Sequence, residues 1–164
     1  MIRHVLPLLA GSLLILAAAQ AAVAEQLTGK VVRVVDGDTI VLEAKGDRDR
    51  IRLAGIDAPE RNQPWGKAST RELRREIAGE TAMVDWHKKD RWKRLIGVVR
   101  HEGRDMNLHM VDRGLAWYYK KYQAEQAPKQ RETYSAAEIE AREERRGIGT
   151  VQTGGFSDCT KFQP

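Results

Sequence analysis

A single cysteine, Cys159, stands five residues from the end of this 164-residue chain. No internal disulfide can form, so the fold has to be held by its core alone. Cysteine-built zinc sites are excluded as well. Cys159 reads as a free thiol in a loose tail, and a monomer is the expected state. Histidine is also scarce. Beyond the first segment there are only His87, His101 and His109, in separate elements and without metal-ligand spacing. Each reads as an ordinary surface or core histidine. After residue 24 no apolar run approaches the roughly 20 residues that a membrane span needs, and no internal repeat is visible.

The one long apolar stretch lies at the start. Arg3 and His4 precede an almost unbroken run from Val5 to Ala19, and Ala22-Val23-Ala24 supplies a small-x-small pattern. That order is a cleavable export signal, with Glu25 as the expected first mature residue. The run is too short for a span, and small residues follow it rather than charges. The protein is therefore expected to be exported, to the periplasm or the medium, with no membrane association after cleavage. Loss of Arg3 takes the 28 basic residues to 27 against 23 acidic ones, a net charge of +4. The remaining length suits one domain with one core. A mildly basic surface fits a polyanionic partner but does not demand one.

Strand signals dominate the first half. Leu27 to Val35 and Thr39 to Ala44 are short and β-branched, joined by Asp36-Gly37-Asp38. Lys45-Gly46-Asp47 makes a second turn, and Arg50 to Ile56 a third strand. A helix is predicted over 67–78, with Gly79 as its terminator. Thr81 to His87 and Leu95 to Arg100 are strands four and five, joined by the charged hairpin Lys88 to Arg94. Helices are predicted over Asp105 to Arg113 and over Lys129 to Arg146. The apolar face of the last one (Tyr134, Ala137, Ala141) is thin, so it should be largely solvated. Five strands with one helix between the third and fourth and two after the fifth is the order of an α+β OB-fold barrel. The expected division is a signal over 1–24, the barrel domain over 25–149 and a mobile tail over 150–164.

Three motifs carry chemistry. Asp36-Gly37-Asp38-Thr39 is a hairpin turn with one acid more than a turn requires. Arg52-Leu53-Ala54-Gly55-Ile56-Asp57-Ala58-Pro59-Glu60 delivers an arginine, an aspartate and a glutamate around the end of a strand. Arg52 and Asp57 are five apart, so an ideal strand would turn them to opposite faces. A bend at Ala54-Gly55 would bring them together. Asp90-Arg91-Trp92-Lys93-Arg94 puts two arginines and an indole on one hairpin. Taken singly, each is explained by a turn or a solvated surface.

Together and in this order, Asp-Gly-Asp-Thr, then an arginine followed by Asp-x-Pro-Glu, then Asp-Arg-aromatic-x-Arg resembles the staphylococcal nuclease family over about residues 27–147. The resemblance implies a five-stranded OB-fold β-barrel with three helices, and a phosphodiesterase that cuts DNA and RNA to 3′-phosphate products. It implies one calcium ion held by Asp38, Asp57 and the backbone carbonyl of Ala58. It further implies Glu60 as the base that activates water, with Arg52 and Arg94 on the scissile phosphate. Trp92 and Tyr122 match positions beside the nucleotide. Lys93 departs from a common glycine, Lys120 from a second nucleotide-side tyrosine, and Ile148-Gly149 from a tryptophan after the last helix. The last departure is expected to loosen the C-terminal helix.

Elementary chemistry agrees with those roles. Guanidinium groups chelate phosphate oxygens bidentately and meet the charge that develops in the transition state. Carboxylate and carbonyl oxygens suit a hard cation such as calcium. Stacking rather than base reading favours single strands or breathing regions of nucleic acid. Two other readings stay open: a non-catalytic OB-fold module that only binds nucleic acid, and an exported domain that uses calcium for stability.

Overall fold

β-Branched runs broken by Gly-containing turns generate a meander that closes on itself. In the computed structural model, which describes residues 25–150, β1 (Glu25–Val34), β2 (Thr39–Ala44) and β3 (Asp47–Leu53) pair antiparallel in succession. β4 (Ile56–Asp57) follows a two-residue corner, and α1 (Gly66–Ile77) precedes β5 (Thr81–Lys89) and β6 (Leu95–His101). β5 lies antiparallel to both β1 and β6, and β3 pairs parallel with β6. That last pairing joins the two ends of the sheet, so β1, β2, β3, β6 and β5 form a closed five-stranded barrel with no exposed edge. This is the expected OB-fold arrangement.

Closure needs strongly coiled strands, and two register shifts supply the bend. One falls between Val31 and Arg33 of β1, the other between Trp86 and Lys88 of β5. The first breaks strict alternation: Val32 and Arg33 are both exposed, while Val31 and Val34 point inward. Ile40, Leu42, Ile51, Leu53, Val84 and Val99 fill the barrel, each fully buried. Leu73 and Ile77 of α1 join the same core.

β7 (Arg104–Asp105) leads into α2 (Met106–Asp112), capped by the Asp105 carboxylate, which accepts from Leu108 N at 3.0 Å. β8 (Trp117–Tyr118) pairs with β4, and a 3-10 turn over Lys120–Glu125 leads to α3 (Pro128–Glu143), which carries proline in its first turn. Only Tyr134, Ala137 and Ala141 of α3 are buried, as its thin stripe predicts. The Tyr134 hydroxyl donates to Asp105 at 2.9 Å, so one carboxylate caps α2 and ties α3 to it. Burial, with the Asp105 charge next, pushes that hydroxyl well above the ordinary tyrosine range.

Element boundaries differ from the sequence expectation in instructive places. The third strand stops at Leu53 instead of running to Ile56, because the chain turns at Ala54-Gly55 and restarts as β4. α3 ends at Glu143 rather than Arg146. Arg145 and Gly147 take left-handed conformations (φ 53° and 51°), and the Arg146 amide folds back onto the Ala141 carbonyl. Ile148 is buried and its amide donates to the Gly114 carbonyl at 2.8 Å, so the chain after α3 is anchored without the tryptophan. The expected signal (1–24) and all but the first residue of the expected tail lie outside the described residues. Among the described residues, no helix is long and apolar enough to cross a membrane.

Candidate active site

Asp38 immediately precedes β2, and Arg52 lies beside it on β3, since Thr39 and Arg52 are cross-strand partners. Leu53 N donates to the Asp38 carbonyl, which locks that register. At the next residues the chain turns: Gly55 takes φ 71°, where a side chain would be strained, and a Cβ there would sit 2.2 Å from the Gln126 amide. The corner reverses the alternation that would have separated Arg52 from Asp57. As a result, the Arg52 Nη2 donates to Asp57 Oδ1 at 2.8 Å. Its Nη1 lies 2.6 Å from Asp38 Oδ2, although its N–H bonds miss the oxygen, so this contact is an ion pair without an aligned hydrogen bond.

Asp38 is held from several sides. Ala58 N donates to Oδ2 at 2.7 Å and the Thr39 hydroxyl to Oδ1 at 3.1 Å. Asp36 Oδ1 in turn accepts from the Asp38 amide. Three aspartates thus crowd one guanidinium. Burial first, and Asp38 next, push the Asp36 carboxyl up to about 6. Burial also pushes Asp57 up to about 6, against the pull of Arg52, with Asp38 and Glu60 adding to the rise. Burial works against the Arg52 charge, but Asp38, Asp57 and Asp36 outweigh it and raise its pKa. The cluster is short of positive charge and offers oxygen donors only.

Glu60 stands on the exposed loop after Pro59, close enough to Asp57 for its charge to be felt there. Its amide donates to Gln63 Oε1 at 2.8 Å. Arg94 precedes β6, whose Leu95 and Ile96 pair with Ile51 and Arg52. Its guanidinium is held by Asp90: Nε donates to Oδ2 at 2.7 Å, while Asp90 Oδ1 accepts from the backbone amides of Trp92 and Arg94. Lys93 adopts φ 62°, the conformation a glycine would take, so the hairpin turn is kept at the cost of left-handed strain. Trp92 is exposed, with the guanidiniums of Arg91 and Arg94 at 4.0 and 5.0 Å from its ring centre. Tyr122 is exposed beside Lys88, Lys121 and the Tyr119 ring.

Asp38, Arg52, Asp57 and Ala58 are thus brought into contact, with Glu60 within electrostatic reach, whereas Arg94 is engaged by Asp90. Asp36 and Asp90 are visible in the motifs, but nothing in their spacing reveals what they hold. His109 also acquires an environment that spacing does not show. It joins Glu72 and Glu76, with ligand atoms within 4.8 Å of one another. Arg75, Arg104 and Arg113 already pair with those two carboxylates, which makes the group an ion-pair network on α1 and α2.

Fold and site together define an α+β OB-fold protein whose polar centre lies where β2, the β3–β4 corner and the start of β6 meet. The family described as "Staphylococcal nuclease homologue" matches residues 50–150. An Escherichia coli protein named "Uncharacterized endonuclease" is 38% identical over 121 residues, 73% of this chain and 75% of its own. "Micrococcal nuclease" of Shigella flexneri is 35% identical over 129 residues, 73% and 72% of the two chains. "Thermonuclease" of Staphylococcus hyicus is 34% identical over 122 residues, 65% and 72%. The chain belongs to the staphylococcal nuclease family.

Proposed function

We propose that the protein is an exported, monomeric, calcium-dependent phosphodiesterase that hydrolyses DNA and RNA to 3′-phosphate products. The observation that carries the reading is the Asp38–Arg52–Asp57 cluster, in which one buried guanidinium is shared by two carboxylates. Such crowding of acids opposes polyanion binding unless a cation offsets it. Asp38, Asp57 and the Ala58 carbonyl would hold that cation. Their all-oxygen donor set fits calcium, with affinity expected near the 10⁻⁴–10⁻³ M typical of weak extracellular sites. When bound, a hard divalent ion supplies charge to a phosphate oxygen and orientation to a water.

The protein groups divide the remaining work. Arg52 Nη1 is buried against Asp38 Oδ2 at 2.6 Å with no aligned acceptor among the described residues, and turning from that carboxylate would present the fork to a phosphate oxygen. Asp90 occupies only Nε of Arg94, so the two Nη groups remain to grip a second oxygen pair. Glu60 takes the proton of the attacking water. The water oxygen bonds to phosphorus, the bond to the 5′ oxygen breaks, and that oxygen leaves as a hydroxyl after protonation by solvent. The two guanidiniums meet the additional charge of the five-coordinate transition state. Trp92 and Tyr122 would flank the bases, favouring unpaired strands.

Plasmid DNA and RNA, incubated with the protein in calcium and then in chelator, test the reading. Cleavage only with the ion is expected. A gel shift without cutting would leave a binding module, and a higher melting temperature alone a calcium-stabilised structural domain.

A further inference from the structure

We infer that Trp65 is a base-stacking platform on the loop that carries Glu60, a specificity-determining contact separate from Trp92 and Tyr122; the inference rests on the nuclease reading above. Trp65 takes φ 67°, a left-handed conformation rare for a bulky residue, and it is more than one-third exposed. Trp65 is not part of the hydrophobic core cluster, so the cost of its strained backbone has to be met by the surrounding loop. Among the described residues no cation or aromatic ring lies on its face, whereas the rings of Trp92 and Tyr122 are both approached by cations.

The loop is built to hold that indole still. Glu60 O accepts from Gln63 N at 2.8 Å, Gln63 O accepts from Gly66 N at 3.1 Å, and Trp65 O accepts from Ser69 N in the first turn of α1. Gly66 packs so tightly on Glu60 that a Cβ would fall 1.8 Å from the Glu60 carbonyl oxygen. Pro59 and Pro64 fix two further φ angles within the same eight residues. The backbone that places the Glu60 carboxylate therefore also places the Trp65 ring. A partly exposed indole on a well-fixed backbone suits a flat, apolar ligand, and a nucleobase is what a nucleic-acid strand offers there. Arg61 and Lys67, before and after Trp65 in the same segment, are exposed, and their charges suit phosphates adjoining that base.

The test is cleavage of a single-stranded oligodeoxynucleotide in which one abasic site is moved along the sequence, with kcat/KM measured for each substrate. In wild type, an abasic site at one position beside the cut is expected to cost about tenfold, the scale of one base–aromatic stack. Trp65→Gly should lose about as much on the intact strand and no longer respond to that abasic site. Trp65→Phe should keep most of both. Trp65→Gly relieves the left-handed strain, so an unchanged or higher melting temperature is expected alongside the lost rate. Unchanged kcat/KM in Trp65→Gly, or an equal loss at every abasic position, would overturn the stacking role alone. Wild-type protein that cuts no nucleic acid would overturn the nuclease reading and this inference with it.

Discussion

Arg52 is the residue on which the centre turns, because among the described residues it is the sole positive charge in contact with Asp38 and Asp57. Replacing it by alanine leaves two largely buried carboxylates without their counter-ion, a loss of about 3–5 kcal/mol in metal-free protein. Arg52→Lys keeps a charge but not the fork, so urea melts should show a smaller loss while kcat falls about 10²–10³-fold. Glu60 behaves oppositely. It is exposed and among the described residues no hydrogen bond or ion pair engages its side chain, so Glu60→Gln should melt as wild type does yet lose about 10²–10⁴ in kcat with substrate binding retained. Unchanged turnover in Glu60→Gln would remove it as a base. Asp90 holds the Arg94 guanidinium, so on the proposed reading Asp90→Ala should lower kcat about ten- to a hundredfold by freeing that guanidinium to wander. A matching fall in an Arg94→Ala background would show that Asp90 does not work through Arg94.

At the scale of elements, the Ala54-Gly55 corner decides whether the motif residues meet, and Asn107 of α2 pins that corner. Its Nδ2 donates to Ala54 O at 2.9 Å and to Gly97 O, while its Oδ1 accepts from Val99 N at 3.0 Å, all fully buried. Asn107→Ala strands the Val99 amide and the Ala54 carbonyl, so a loss of about 2–4 kcal/mol in urea unfolding is expected. Activity should fall further than the unfolded fraction explains, because the corner sets Asp57 against Arg52. The strand order and the three helices were legible in the sequence because periodicity and Gly punctuation are local signals. The bend between Arg52 and Asp57 was legible only as a necessity, from the clash between their spacing and strand alternation. Asn107 left no trace, because a buried asparagine bonded to three distant backbone groups looks like any polar helix residue. The short β4–β8 pair was hidden for a related reason: two-residue strands carry no period.

At the scale of the whole molecule, charge crowding at the centre makes stability depend on pH and, on the proposed reading, on the cation as well. Asp57 and Asp36 each titrate near 6 in the fold, against an ordinary value of 3.8. Their pKa values are raised, so the folded state holds protons more tightly than the unfolded chain. Between pH 3.8 and about 6 the unfolded chain has released protons that the native state retains, and the free energy of unfolding falls as pH climbs. The stabilising contribution is complete below 3.8 and gone above about 6. Other carboxylates titrate in this range as well, and Asp57→Asn isolates the local part. In chelator, wild type should lose more melting temperature than Asp57→Asn between about pH 5 and about pH 7.5. On the proposed reading calcium would bind the ionised acids, so its effect would have the opposite sign. At about 10 mM, ten to a hundred times the expected dissociation constant, it should add about 1.4–2.7 kcal/mol near pH 7.5 and less near pH 5, where protons compete. Wild type in calcium should therefore show a flattened or reversed pH slope, and Asp57→Asn should show almost no calcium effect. A wild-type slope that calcium leaves untouched would place the cation away from Asp57.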